Sequence, residues 1–343
     1  IIASMKVAFT LCSLNYMAQA KTLADSFREH NPDWHFVIGL VDELTDTSLF
    51  PDFEDKSVEI IPVHKVQISR FNDMAKAYSI EELNTSVKPF YIEFLFVKYK
   101  ADKVVYIDPD IQVYDSISDI DQQLNAYDLI LTPHFLTPLD DDGKGPSEID
   151  ILRVGIFNLG FVAFKNTPKI LSFIQWWKDR LSKYCFVALN EGMFVDQLWM
   201  NFAILYHERS YILRHLGYNV ANWNLHERNI SKKGNRFFIN DTYPLVFFHF
   251  SGYTPLKPDV ISKYQNRFDF NNRKDIIELF DAYRERLFKN DFTRWSKLKC
   301  SFSKDNSYRL TDKISLLLSK SIIKIAKILF PVQTKRLLYP RGR

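Results

Sequence analysis

Apolar runs and helix-spaced stretches alternate along the first half of the chain. Lys6–Leu11 is a short apolar run that reads as a strand. From about Tyr16 to His30, Ala18, Leu23, Ala24 and Phe27 recur on one helical face, and Asn15 just ahead of them is the expected cap. Further strands are expected at His35–Val41, Val58–Pro62, Lys103–Ile107 and Leu129–Thr132, with an apolar helix at Phe90–Lys100. Strands separated by helices predict an α/β fold with a mostly parallel sheet, where ligands bind beyond the carboxyl ends of the strands.

In the second half, residues 137–150 (TPLDDDGKGPSEID) are polar and rich in turn formers, so a mobile loop is expected there. Residues 156–166 (IFNLGFVAFKN) read as a turn and then a strand. Helices are expected at Pro168–Tyr184 and at about Asp196–His207, and a buried strand at Tyr243–His249. Beyond Pro258 the pattern is helical and charged to about Lys289.

The strand VVYI runs directly into Asp108 and Asp110, which an extended chain sets roughly 6–7 Å apart. Two like charges there repel, and a hard divalent cation such as Mg²⁺ or Mn²⁺ would relieve them. The plainer reading is a solvated turn at a strand end. His249 closes the apolar run YPLVFFH and is a candidate third ligand; read alone it is more readily a capped core histidine, and the glycine and lysine behind it favour the ligand. Lys257 follows Ser251-Gly252 and could neutralise a phosphate. Asp196 and Gln197 open the expected helix DQLWMN, where an acid also suits the helix dipole. Asn158 in FNLG, and Asn222 and Asn224 in NWN, are amides at turns.

Composition removes several alternatives. Only ten of the 343 residues are glycine, and no G-x-G-x-x-G or Walker pattern is present, so a phosphate must be held by other means. The three cysteines are far apart and odd in number, which fits neither a disulfide framework nor a zinc site and points to a reducing cytosol. The start reads as a first strand rather than a signal peptide, with Met5 the natural beginning. The formal charge is +4, yet residues 311–343 alone carry eight bases and one acid, leaving the rest at −3. A nucleic-acid-binding body is thereby disfavoured. Within LTDKISLLLSKSIIKIAKILF (310–330), Lys320, Lys324 and Lys327 form one polar stripe on a broad apolar face. That pattern is too interrupted to span a bilayer and suits an interfacial helix on anionic lipid.

In order along the chain, YIDPD, FNLGFVAFKN, DQLWMN, NWN and HFSGYTPLKP resemble the landmarks of the retaining glycosyltransferases of family 8, which include bacterial lipooligosaccharide galactosyltransferases and glycogenin. FTLCSLNYMAQAKTLADSF resembles that family's first strand and helix. The resemblance implies a GT-A catalytic domain over residues 5–258, followed by a helical extension (259–308) and the basic amphipathic tail (309–343). It implies a nucleotide-diphospho-sugar donor, with a UDP-sugar favoured, and Mn²⁺ (or Mg²⁺) held by Asp108, Asp110 and His249. Gly252 and Lys257 would contact the diphosphate; Thr10, Asn15 and Tyr16 would lie near base and ribose; Asn158, Asp196 and Gln197 would line the catalytic pocket. Two departures stand out. The gap from Gly252 to Lys257 is two residues longer than in the family, with Asp259 in place of a tryptophan. The helix before the acid pair offers Glu93 and Lys98 where the family carries an arginine.

The expected function is sugar transfer with retention to a glycan or lipid-linked acceptor, in bacterial surface polysaccharide (lipopolysaccharide or capsule) synthesis. The expected place is the inner face of the cytoplasmic membrane, held there by the tail. In a retaining reaction a leaving phosphate oxygen can take the acceptor's proton, so an amide such as Gln197 suffices in the pocket. The alternatives are an inverting enzyme with Asp196 as base, a nucleotidyltransferase, which the segment LCSLNYMAQA does not suit, and an inactive membrane-docked scaffold.

Overall fold

The computed structural model describes residues 5–43 and 58–302. The tail at 309–343, with its candidate interfacial helix, lies outside them, as do the residues ahead of Met5. Among the described residues no helix is long and apolar enough to cross a membrane.

The central sheet has seven strands. Six are β1 (Lys6–Cys12), β2 (His35–Leu40), β3 (Val58–Pro62), β4 (Lys103–Ile107), β6 (Leu129–Pro133) and β7 (Phe157–Lys165). With the edge strand Ser210–Ile212 first, the order is Ser210–Ile212, β6, β7, β4, β1, β2, β3. All neighbours pair in parallel except β7, which runs antiparallel to both β4 and β6. The expected α/β class with a mostly parallel sheet is what forms. β1 shows why its sequence is apolar throughout. Ala8 and Cys12 enter the core on one face, while Val7, Phe9 and Leu11 enter the core on the other.

Among the described residues, seven helices follow the chain through its first half and the crossover to the second: α1 (Met17–His30), α2 (Phe71–Ala77), α3 (Ile80–Ser86), α4 (Lys88–Tyr99), α5 (Ser118–Ala126), α6 (Glu148–Val154) and α7 (Pro168–Leu181). α1 buries Ala18, Leu23, Ala24 and Phe27 on one face of the sheet, as its spacing implies. α4 and α7 cover the other face. The later helix Ile277–Lys289 inserts Leu279, Phe280, Tyr283 and Leu287 into the same core as α1.

Several boundaries differ from the sequence expectation, each for a local reason. Asn15 does not cap α1. It sits within a tight turn at Leu14–Tyr16, its side-chain oxygen accepts a bond from the Cys300 thiol at 3.1 Å, and α1 starts without a side-chain cap. α4 begins earlier than expected, at Lys88, because Pro89 is tolerated in a first helical turn. The expected helix after Asp196 is a 3-10 segment (Leu198–Phe202) followed by one α turn, Ala203–Tyr206. The run YPLVFFH breaks into Tyr243–Pro244 and Phe247–His249, since the amides of Val246 and Phe247 turn to Gly217. Residues 258–273 are turns rather than helix, pinned by side-chain acceptors such as Asp269, which takes the amides of Asn271 and Asn272. The polar segment after Thr137 is likewise anchored. Arg267 grips both oxygens of Asp142 and the carbonyls of Lys144 and Pro146, and a capping box of Ser147 and Asp150 starts α6.

Candidate metal and donor site

β4 delivers the acid pair to the carboxyl edge of the sheet. The amide of Asp108 donates to the Gly160 carbonyl on β7 at 2.8 Å, and a turn back from Asp108 starts the short strand β5 (Ile111–Val113). β5 pairs antiparallel with Phe247–His249, setting His249 opposite Ile111, and the Phe250 amide donates to the Asp110 carbonyl at 2.8 Å. Backbone pairing thus carries the histidine to the acids from the other half of the chain. One ligand atom from each of Asp108, Asp110 and His249 lies within 4.8 Å of the others. His249 Nε2 is 3.0 Å from Asp110 and 3.7 Å from Asp108.

The imidazole is held from behind. His249 is 3% exposed, and its Nδ1 lies 3.2 Å from the Asn219 side-chain oxygen. Asn219 in turn donates to the Asn158 oxygen, which also accepts the Gly160 amide. An Nδ1–H donated to Asn219 leaves the Nε2 lone pair facing the carboxylates, the tautomer a metal ligand needs. Trp223 packs its edge against the ring at 5.2 Å. The glycine of FNLG has a steric cause: a Cβ on Gly160 would come within 2.5 Å of His249 Cε1 and 2.8 Å of Nδ1. Gly160→Ala should therefore weaken Mn²⁺ binding by about 10- to 100-fold, the range for disturbed outer-shell support, as read by electron paramagnetic resonance of free Mn²⁺.

The electrostatics favour a cation. Burial raises the Asp108 carboxyl above its ordinary value, Lys88 and His249 oppose that rise, and Asp110 adds to it. Burial opposes charging of His249, but Asp110 and Asp108 overcome it and hold the imidazole above its ordinary value. The Tyr106 hydroxyl donates to Asp108 at 2.6 Å. Two carboxylates and one oriented imidazole suit Mn²⁺ or Mg²⁺.

A second ionic feature lies beneath the acids. Lys88, 1% exposed, forms an ion pair with Asp196, 2% exposed. It also donates to the Leu159 carbonyl at 3.0 Å and lies 4.0 Å from the centre of the Tyr106 ring. This lysine lies two residues ahead of the stretch Phe90–Lys100 that reads as helical, within which Glu93 and Lys98 do not reach Asp196. Those two pair with Lys178 and Glu59 instead. Val195, just before Asp196, holds a φ of +36°, rare for a β-branched residue.

The other candidates divide by location. Gln197 donates from Nε2 to the Val154 carbonyl at 2.9 Å and is 7% exposed. Tyr16 is half exposed beside the acids; burial and then Asp110, Tyr264, Glu81 and Asp108 push its hydroxyl above the ordinary value. Thr10 is fully buried, so its side chain does not reach a surface where base or ribose could lie. Asn15 engages Cys300. Asn222 and Asn224 lock the local loop, through Ser251 and through His134 and Asn219. The amide that touches the imidazole is Asn219, just upstream, and a φ of +52° there was the kind of Asn-tolerant turn its sequence allows. Gly252 lies two residues beyond Phe250 with φ +75°, while Lys257 is exposed.

No protein-family model matches the chain. It is 26% identical over 282 residues to the uncharacterized protein YfnF of Bacillus subtilis (strain 168), covering 81% of this chain and 90% of that protein. It is 23% identical over 248 residues to the uncharacterized protein YfnD of the same organism, covering 71% and 77%. Among solved structures it is similar to the galactosyltransferase LgtC in complex with donor and acceptor sugar analogs, with TM-score 0.47 at 16% identity, covering 81% of this chain and 95% of that one. It is also similar to the glycosyltransferase GlyE of Streptococcus pneumoniae TIGR4, with TM-score 0.48 at 16% identity, covering 86% and 66%.

Proposed function

We propose that this chain is a metal-dependent glycosyltransferase of GT-A architecture that moves a sugar from a nucleotide-diphospho-sugar to a glycan or lipid-linked acceptor, with retention. One observation carries the reading: Asp108, Asp110 and His249 converge at the carboxyl edge of the sheet, with the imidazole tautomer fixed by Asn219. A divalent cation bound there supplies positive charge to a diphosphate leaving group. The bond that breaks joins the anomeric carbon to a phosphate oxygen; the bond that forms joins that carbon to the acceptor oxygen, whose proton passes to the departing phosphate.

The chain's own residues fit that chemistry. Asn158 supports His249 through Asn219, Gln197 adjoins Asp196 with its amide on the Val154 carbonyl, and Tyr16 offers an aromatic surface within the field of both acids. Asp196 is a poor general base, because Lys88 binds one of its oxygens inside the protein. That disfavours the inverting alternative. By the same reading the donor is a UDP-sugar, the acceptor belongs to a bacterial surface polysaccharide, and the tail 309–343 holds the enzyme at the cytoplasmic face of the membrane.

The test is a donor screen. A panel of nucleotide-sugars is incubated with the protein and Mn²⁺, with and without EDTA. Slow hydrolysis of one donor, lost on chelation, supports the reading; flat rates across the panel favour the inactive scaffold.

A further inference from the structure

Tyr106 lies two residues before Asp108, so the pleat at the end of β4 turns both side chains toward one face of the sheet. The fold fixes its ring from two sides. Tyr106 pairs across the sheet with Phe9 on β1, and the two rings meet edge to face at 5.1 Å. The Lys88 ammonium sits over the same ring, 4.0 Å from its centre. Tyr106 is 3% exposed, and burial, followed by the charge of Asp108, pushes its phenol well above the ordinary value. The hydroxyl therefore keeps its proton and acts as a donor.

That donor distinguishes the two oxygens of Asp108. It bonds Oδ1 at 2.6 Å, whereas Oδ2 is the oxygen 3.7 Å from His249 Nε2. We propose that Tyr106 is a positioning residue that sets ion selectivity: by holding Oδ1 it leaves Asp108 a single oxygen for the cation, which favours an octahedral ion such as Mn²⁺ or Mg²⁺ over Ca²⁺. The inference rests on the metal-site reading and adds to it a reason for the choice of ion. Ca²⁺ takes about 6–8 oxygens and gains when a carboxylate gives it both. An octahedral ion takes one oxygen from each carboxylate and fills its other positions with water, phosphate or imidazole. A carboxylate tied to a phenol whose ring cannot move is held to that second arrangement.

The experiment uses the full chain, with Mn²⁺ and Ca²⁺ alone as probes. Electron paramagnetic resonance of free Mn²⁺ gives its affinity, and displacement of bound Mn²⁺ by Ca²⁺ gives the ratio of the two. The proteins compared are the wild type, Tyr106→Phe and Tyr78→Phe. Tyr78→Phe is the control, since it too removes a buried hydroxyl, one that donates to the Leu181 carbonyl at 2.6 Å. Tyr106→Phe keeps the ring that meets Phe9 and Lys88. It should weaken Mn²⁺ binding about tenfold, within the range for lost outer-shell support. Ca²⁺ affinity should change by less than about twofold, because Ca²⁺ can then take both oxygens of Asp108. The preference for Mn²⁺ should thus shrink by about fivefold or more, and Tyr78→Phe should leave it where it is. An unchanged ratio in Tyr106→Phe, even with both affinities lowered, overturns the assignment, as does an equal shift in Tyr78→Phe. A wild type that takes no Mn²⁺ is a different failure, visible before any variant is compared, and removes the metal reading together with this one. Thermal midpoints in EDTA confirm that each variant is folded.

Discussion

Asp108→Asn should reduce sugar transfer by roughly a thousandfold or more, the scale of losing electrostatic stabilisation of a leaving group. Asparagine keeps the shape and can still accept from the Tyr106 hydroxyl, which bonds Asp108 at 2.6 Å. What disappears is one of two charges that hold the cation. A thermal readout separates this from misfolding. Ligand at 100 times its Kd stabilises a native state by about 2.7 kcal/mol, a rise of roughly 4 °C for a chain of this size. The wild type should show that rise with Mn²⁺, and Asp108→Asn should not. In EDTA the variant should melt no lower than the wild type, because it has lost a repulsive neighbour of Asp110. A variant that keeps transfer within tenfold would remove Asp108 from the cation site.

The second large effect is on stability. Lys88→Met should cost about 3–5 kcal/mol at neutral pH, the usual penalty for leaving one partner of a buried pair uncompensated. Asp196 at 2% exposure has no route to water in place of the lysine. Urea unfolding at pH 7 measures the loss, and Lys88→Met combined with Asp196→Leu should recover much of it. A cost below about 1 kcal/mol contradicts the buried pair.

The sheet was legible because its signal is local. An apolar run such as Lys6–Cys12 feeds both cores by alternation, and strands separated by helical spacing imply parallel pairing. The acid pair was legible for the same reason, since a strand that ends in two carboxylates is an anomaly within a few residues. His249 was legible only as a candidate; its meeting with Asp110 depends on the pairing of β5 with Phe247–His249. Lys88 was hidden because a lysine beside a proline reads as a helix boundary, and only the fold shows it buried against Asp196. Asn219 was hidden because its partners, His249 and Asn158, are distant in sequence. Thr10, which the family resemblance sets near base and ribose, is fully buried.

The most direct test of the central claim is anomalous scattering from a crystal of the protein grown with Mn²⁺. The account predicts one strong manganese peak about 2.0–2.3 Å from a carboxylate oxygen of Asp108, one of Asp110 and Nε2 of His249. Manganese found elsewhere, or a His249 ring turned away from ordered acids with no peak between them, would contradict it.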